Sequence, residues 1–268
     1  MMGETGDQKR LFLGFEVHAP WPDNLPDART LKAKHRHLTL AFLGNTSYQE
    51  IRSLIPKLPK PSFRVGPVGI ADSVLCLPRR HPCVVTWHVE PFGDDPLEAY
   101  QQEVSDFFEA QGYPMDRRKF LKHVTLGRSP FKEKEWTKAF RPLPLYYHHL
   151  HLYESFKGLR YEPIWSHDLC PPFEEMEHEA DIAFRVYGET LGQVFRNAQI
   201  ALAFKCPDIL PFLNPEIQAK TLEEGIIELN EITTEGDKQI GTPFKAVSFH
   251  GEIIKEKEGL MWEMIVDV

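Results

Sequence analysis

The chain has 268 residues, 42% of them hydrophobic and 26% charged, the balance of a soluble globular protein with room for one large or two modest domains. Its net charge of −8 argues against a generic nucleic-acid binder. No apolar run approaches the roughly 18 residues of a membrane span, and Met1–Arg10 lacks the apolar stretch of a signal peptide, so the chain reads as cytoplasmic.

Leu11–Val17 reads as a first strand, followed by a loop holding Pro20, Pro22 and Pro26. The next strand carries His37 and Thr39 and ends near Gly44. Ser47–Leu58 suits a short helix stopped by Pro56 and Pro59. Phe63–Leu77 alternates as strands broken by Gly66, Pro67 and Gly69, and Cys83–Val89 is a strand with Val84-Val85 at its centre. Pro96–Gln111 is predicted helical, with Pro96 in the first turn, Gly112 at the end, and Leu97, Tyr100, Val104, Phe107 and Phe108 at helical spacing. The strand of His123 follows, and Tyr146–Phe156 is expected as the last strand of this half. Pro171-Pro172 marks the boundary between units 1–171 and 172–268. Beyond it, Phe173–Val186 reads as a strand with a polar break, Thr190–Cys206 as a helix, and Phe244–Phe249 and Leu260–Val268 as two final strands. Pro207–Gly241 gives no clear pattern.

Charge divides unevenly along this layout. Residues 173–268 hold 8 Lys+Arg against 19 Asp+Glu, a net of −11, which leaves 23 against 20, a net of +3, in residues 1–172. Such asymmetry points to two units with different partners. Cys76, Cys83, Cys170 and Cys206 form no CxxC pair and read as reduced thiols.

Two tetrapeptides carry chemistry: His37-Leu38-Thr39-Leu40 and His123-Val124-Thr125-Leu126, 86 residues apart. On a strand, alternate side chains share a face. His37 and Thr39 then line a cleft while Leu38, Leu40 and Phe42 face a core, and His123 and Thr125 do the same against Val124 and Leu126. Imidazole titrates near pH 6.5, so one ring can take a proton from water while the other gives one to a departing oxygen. The Thr hydroxyls and the Arg128 guanidinium suit the oxygens of a phosphoryl group, with no metal required. Lys34, Arg36, Lys122 and Arg117-Arg118-Lys119 lie nearby as charges able to steer a polyanion, or simply as a solvated face.

Residues 10–170 resemble the 2H phosphoesterase superfamily, in its RNA 2′,3′-cyclic phosphodiesterase branch, also called 2′-5′ RNA ligase-like. The matching strings are Arg10–Phe15, His37–Gly44, His123–Arg128 and Leu152–Ser155. The resemblance implies an α+β, bilobed fold of two similar lobes around a central groove. It also implies hydrolysis of RNA 2′,3′-cyclic phosphate ends to 2′-phosphates without a cofactor. By the same analogy His37 is the proton donor and His123 the acceptor, although the sequence does not separate the two roles. Lys122 stands where relatives commonly carry proline.

In the acidic half, Glu177–Asp181, Ile182–Leu191, Phe244–Gly251 and Val266-Asp267-Val268 together resemble archease, a helper of RNA ligases in tRNA splicing and repair. The match covers 173–206 and 244–268, and Pro207–Pro243 stands where archeases carry a larger strand-and-helix insertion. The resemblance implies a small α+β domain, an RNA ligase partner, and a divalent ion, Ca²⁺ or Mg²⁺, held by Asp181 and Asp267 with the Val268 carboxylate, His178 or water. Exposed acids at strand ends are the plain alternative. His149 and His151 share a strand face and His148 points away, a half-exposed strand rather than a metal site. No phosphate-cradling GxxxxGK[ST] or GxGxxG motif is present. Besides the hydrolase, the sequence leaves open a non-catalytic RNA-end-binding adaptor of a ligase, and reversible 2′-5′ ligation by the same residues.

Overall fold

The computed structural model describes residues 7–249 and 251–268, so the start of the chain and His250 of the Phe244–Gly251 string lie outside the described residues. In chain order the elements of the first part are β1 (Gln8–Glu16), β2 (Arg29–Thr30), β3 (His37–Ser47), α1 (Tyr48–Leu54), β4 (Val68–Leu77), β5 (Val84–Pro91), α2 (Pro96–Ala110), β6 (His123–Arg128), α3 (Glu133–Ala139), β7 (Leu143–Tyr146), β8 (His149–Phe156) and β9 (Arg160–Asp168). The second part holds β10 (Phe173–Met176), β11 (Ile182–Gly188), α4 (Leu191–Lys205), α5 (Leu222–Ile240), β12 (Ala246–Val247), β13 (Ile254–Lys255) and β14 (Leu260–Asp267).

The first nine strands form one sheet in the order β7-β4-β5-β6-β3-β1-β8-β9, with β2 added beside β6. Its halves meet where β3 and β6 run antiparallel and Leu38 faces Val124. The sheet curls: the segment after β1 returns to β7, where His18 and Tyr146 exchange two backbone hydrogen bonds of 3.0 Å. Inward-pointing Leu11, Leu13, Phe15, Leu38, Leu40, Val124, Leu126, Leu150 and Leu152 build the first core. This is the period-two pattern of a sheet with one face in the core and one open.

Two differences from the predicted strands matter. Tyr146–Phe156 is split into β7 and β8, and β9 follows it and pairs along β8, so it is not the last strand of its half. Phe42 does not face the core; it is 50% exposed. Gly14 faces Thr39 but Leu13 faces Ala41, so Leu40 is an extra residue in β3 and side-chain alternation inverts after it. The Leu40 carbonyl accepts a hydrogen bond from Gln101 Nε2 of α2 at 3.2 Å.

The second sheet runs β10-β11-β14-β12, with β13 also on β14. The Phe173–Val186 stretch is two strands, β10 and β11, parted at the polar residues 177–181. α4 is buried over most of its length: Val194, Phe195, Ala198, Ile200, Ala201, Leu202 and Ala203 are enclosed, and so are the polar Asn197 and Gln199. The segment with no clear sequence pattern forms a 3₁₀ turn at Pro207–Phe212 and the 19-residue α5. Of Phe244–Phe249 only Ala246 and Val247 pair as strand, while Phe244 is buried and Phe249 exposed. Val68 and Phe92 of the first sheet belong to this second core, and the Tyr146 ring lies 5.2 Å from Phe173 and 5.3 Å from Phe204. No helix among the described residues is long and apolar enough to cross a membrane.

Candidate active site

Both His-x-Thr strings sit on the open face where the two halves of the sheet join. Leu38 and Val124 are directly opposed, and continuing that register one step sets His37 against Thr125 and Thr39 against His123. Directly opposed residues of an antiparallel pair share a face. Each imidazole therefore stands beside the hydroxyl of the other motif, and the four groups repeat about a local two-fold.

The two histidines are held the same way. His37 Nδ1 lies 2.7 Å from the His35 carbonyl, and His123 Nδ1 lies 2.7 Å from the Leu121 carbonyl, in each case two residues upstream. A carbonyl only accepts, so Nδ1 carries the proton and donates, leaving Nε2 as the basic nitrogen of the neutral ring. A 3₁₀ turn at Ala33–His35 aims the His35 carbonyl back at the His37 ring.

The same strand defect recurs in β6. Thr86 faces Thr125 but Val85 faces Gly127, which makes Leu126 the extra residue and brings Arg128 to the groove face. Phe42 and Arg128 thus occupy equivalent positions, three residues after Thr39 and Thr125. Arg10 lies over the Phe42 ring at 5.0 Å, and Arg29 pairs beside Arg128 with its Nε donating to the Ser129 carbonyl at 2.8 Å. Arg128 Nε is buried without a hydrogen-bond partner.

The two rings differ in surroundings. His37 is only 9% exposed, walled by Phe12, Tyr161 and Tyr153 with ring centroids at 4.6, 4.8 and 5.4 Å. Burial takes its pKa down to about 4, helped by the nearby His123, His35 and Arg128 charges and opposed by the His35 carbonyl. His123 is half-buried. Burial lowers its pKa too, with a push from His88, its partner across β5, against the Leu121 carbonyl. In the free protein both rings are therefore biased toward the neutral form, and His37 is the more deeply buried.

Several charges near the motifs are already engaged. Lys122, 11% exposed, donates to Asp95 at 2.6 Å and ties the start of β6 to the N-cap of α2. Arg117 pairs with Glu109 at 2.6 Å, and Arg118 pairs with Asp116. Arg36 is buried against the Trp21 ring at 4.4 Å, and burial lowers its pKa to about 10. A cavity of about 470 Å³ just upstream of β6 is lined by His88, Glu90, Asp95, Glu98, Lys119 and Lys122. The aromatic wall around His37 was not singled out from the sequence. Its signal is the parity of Phe12 and Tyr153, which occupy groove-side positions of β1 and β8 where alternation favours polar residues.

In the second sheet, Ile182 faces Val266, so Asp181 and Asp267 lie at the same end of two neighbouring interior strands. His178 Nδ1 is 3.8 Å from the Asp181 carboxylate, and Lys245 Nζ donates to the Val268 carbonyl oxygen at 2.5 Å. Ca²⁺ takes about six to eight oxygens. That is more than these side chains supply, and an ammonium already holds one of them. Among the described residues, the trios of His, Cys, Asp or Glu with ligand atoms mutually within 4.8 Å are His18/His148/His149 and Asp72/His88/Glu90. His148 does not point away from His149: their rings are 3.6 Å apart, because His148 lies between β7 and β8, where strand alternation does not apply.

No protein-family model matches the sequence, and no curated protein matches it. Among solved structures, the chain is similar to a phosphoesterase at 23% identity and TM-score 0.46, over 61% of this chain and 99% of that one. It is similar to E. coli LigT complexed with 3′-AMP at 22% identity and TM-score 0.45, over 60% and 98% of the two chains. TT0787 of Thermus thermophilus is similar at 17% identity and TM-score 0.45, over 60% and 97%.

Proposed function

We propose that the groove binds an RNA end and opens its 2′,3′-cyclic phosphate to a 2′-phosphate, with His37 and His123 as the proton-transfer pair. The observation that carries this reading is the reciprocal placement of two imidazole–hydroxyl pairs, each ring held by the same upstream carbonyl bond. A neutral Nε2 on one side takes a proton from water as the water oxygen bonds to phosphorus. An imidazolium on the other side gives its proton to the 3′ oxygen as the P–O3′ bond breaks. One water is consumed, and the rings end with their protonation exchanged. Thr39, Thr125 and Arg128 donate to the non-bridging oxygens, where negative charge builds up. The analogy casts His37 as donor, yet the free groove favours neutral His37. That role therefore needs the phosphate anion to restore charge to the ring.

The test is turnover of a short oligonucleotide ending in a 2′,3′-cyclic phosphate, in excess chelator, with products identified by phosphate position. His37→Ala and His123→Ala are each expected to lose about 10²–10⁴-fold in kcat. Full activity in either variant removes that ring from the mechanism. A product joined through a new 2′-5′ linkage assigns the groove to ligation instead.

A further inference from the structure

Beyond the groove chemistry, we infer that His18, His148 and His149 form a binding site for one imidazole-preferring transition-metal ion of the Zn²⁺ type. One ring nitrogen from each lies within 4.8 Å of those of the other two. Around a tetrahedral ion with Zn–N near 2.0–2.1 Å, such nitrogens stand roughly 3.4 Å apart, a spacing that small side-chain rotations reach.

Backbone pairing explains why three histidines from separate segments meet. Phe15 faces Leu150 and Gly14 faces His151, a register that if continued sets His18 opposite Tyr147. His18 instead bridges Tyr146. The one-residue slip falls between β7 and β8, and it turns the consecutive His148 and His149 toward the same side. His18 is fixed there by its two backbone bonds to Tyr146 and by stacking on the Tyr146 ring at 4.9 Å.

Three further features suit ligation. His18 Nε2 and His148 Nδ1 are both buried with no hydrogen-bond partner, a costly state for imidazole nitrogens unless something binds them. His149 Nδ1 lies 2.8 Å from the Asp168 carboxylate, which orients the ring and leaves Nε2 as the ligand atom, the arrangement that supports metal-bound histidines. The three residues are partly exposed, although the unpartnered nitrogens themselves are buried. The Glu16 carboxylate adds negative charge to the cluster. Glu16 Oε2 lies 3.4 Å from His151 Nε2. An all-imidazole set selects Zn²⁺, Cu²⁺, Ni²⁺ or Co²⁺ over Mg²⁺ and Ca²⁺. In the other trio two of the three groups are carboxylates, and one of them, Asp72, is already engaged by His88 Nδ1 at 2.8 Å.

The experiment is Co²⁺ titration of the chelator-stripped full chain, read by visible absorption, with Zn²⁺ competition. One equivalent of Co²⁺ is expected to give the intense band of a tetrahedral site, bleached by one equivalent of Zn²⁺ and unmoved by excess Mg²⁺. His148→Gln is expected to abolish it. Asp168→Asn, at a 67% exposed side chain that leaves the fold intact, is expected to weaken binding about 10–100-fold. His88→Gln serves as the control and leaves the band unchanged. A wild-type chain with no stoichiometric band overturns the site. So does a band that survives both His148→Gln and Asp168→Asn, or one abolished by His88→Gln.

Discussion

An imidazole pressed among Phe12, Tyr153 and Tyr161 is a poor place for a positive charge, and this sets the pH at which the free groove works. In the proposed reaction the active form needs one protonated and one neutral ring. Both pKa values are lowered by burial, so the protonated ring is lost as pH rises through a value below the ordinary 6.5. The bell of kcat/KM, which reports the free protein, is expected to peak below pH 6.5, with its acid limb near pH 4 where His37 takes up a proton. The kcat bell is expected at higher pH, because a phosphate between the rings favours both charged forms. A kcat/KM optimum at pH 7 or above would contradict the burial argument. The His-x-Thr pairs were readable in sequence because side-chain parity needs no partner strand. The positions of Phe42 and Arg128 were not, since a bulge is visible only once the neighbouring strand fixes the register. Nor could the sequence tell which of Lys122, Arg117 and Arg118 had found a carboxylate.

Among the elements the sequence reading missed, α5 is the longest, although its signals are plain in retrospect. Thr221 accepts from the Glu224 amide at 3.2 Å, while the Glu224 carboxylate accepts from the Lys220 amide at 2.7 Å, a reciprocal variant of the capping box. Leu222, Ile226, Leu229 and Ile232 keep helical spacing, and Gly241 closes the helix in the left-handed region at φ 67°. The many Glu residues and two internal glycines obscured the apolar stripe. One of those glycines is a packing device: a Cβ on Gly225 would lie 2.0 Å from the ring of Phe195, which is fully buried in α4. Gly→Ala within a helix ordinarily gains about 1 kcal/mol. Here the clash with an enclosed ring outweighs that gain, and Gly225→Ala is expected to destabilise the chain by about 1–2 kcal/mol net in urea unfolding. A stabilised variant would show that the two helices separate more easily than their packing implies.

At the scale of the whole molecule, the two sheets share side chains across their seam. Val68 and Phe92 serve the second core, Tyr146 sits against Phe173 and Phe204, and Arg196 of α4 pairs with Asp94. The Arg64 amide donates to the Glu189 carboxylate at 2.8 Å. Apolar burial of this kind couples stabilities. The full chain is therefore expected to unfold in one calorimetric transition, and residues 1–171 expressed alone to melt lower and bind a hydrophobic dye. Two separated transitions in the full chain would mean the seam contributes little. The seam depends on distant residues, such as Val68 with the second core and Arg64 with Glu189, that no local sequence pattern links.

The near two-fold repeat of the groove has a consequence for direction. Its central groups, an imidazole and a hydroxyl from each half, look alike when the site is turned end over end, so they cannot by themselves distinguish the 5′ from the 3′ course of a nucleic-acid strand. Two features break the likeness: the aromatic wall of Phe12, Tyr153 and Tyr161 around His37 alone, and the matched position three residues after each Thr, a ring beneath a guanidinium at Phe42 and a guanidinium at Arg128. On the proposed reading, a bound strand would be told 5′ from 3′ by these unlike surroundings rather than by the paired imidazoles and hydroxyls.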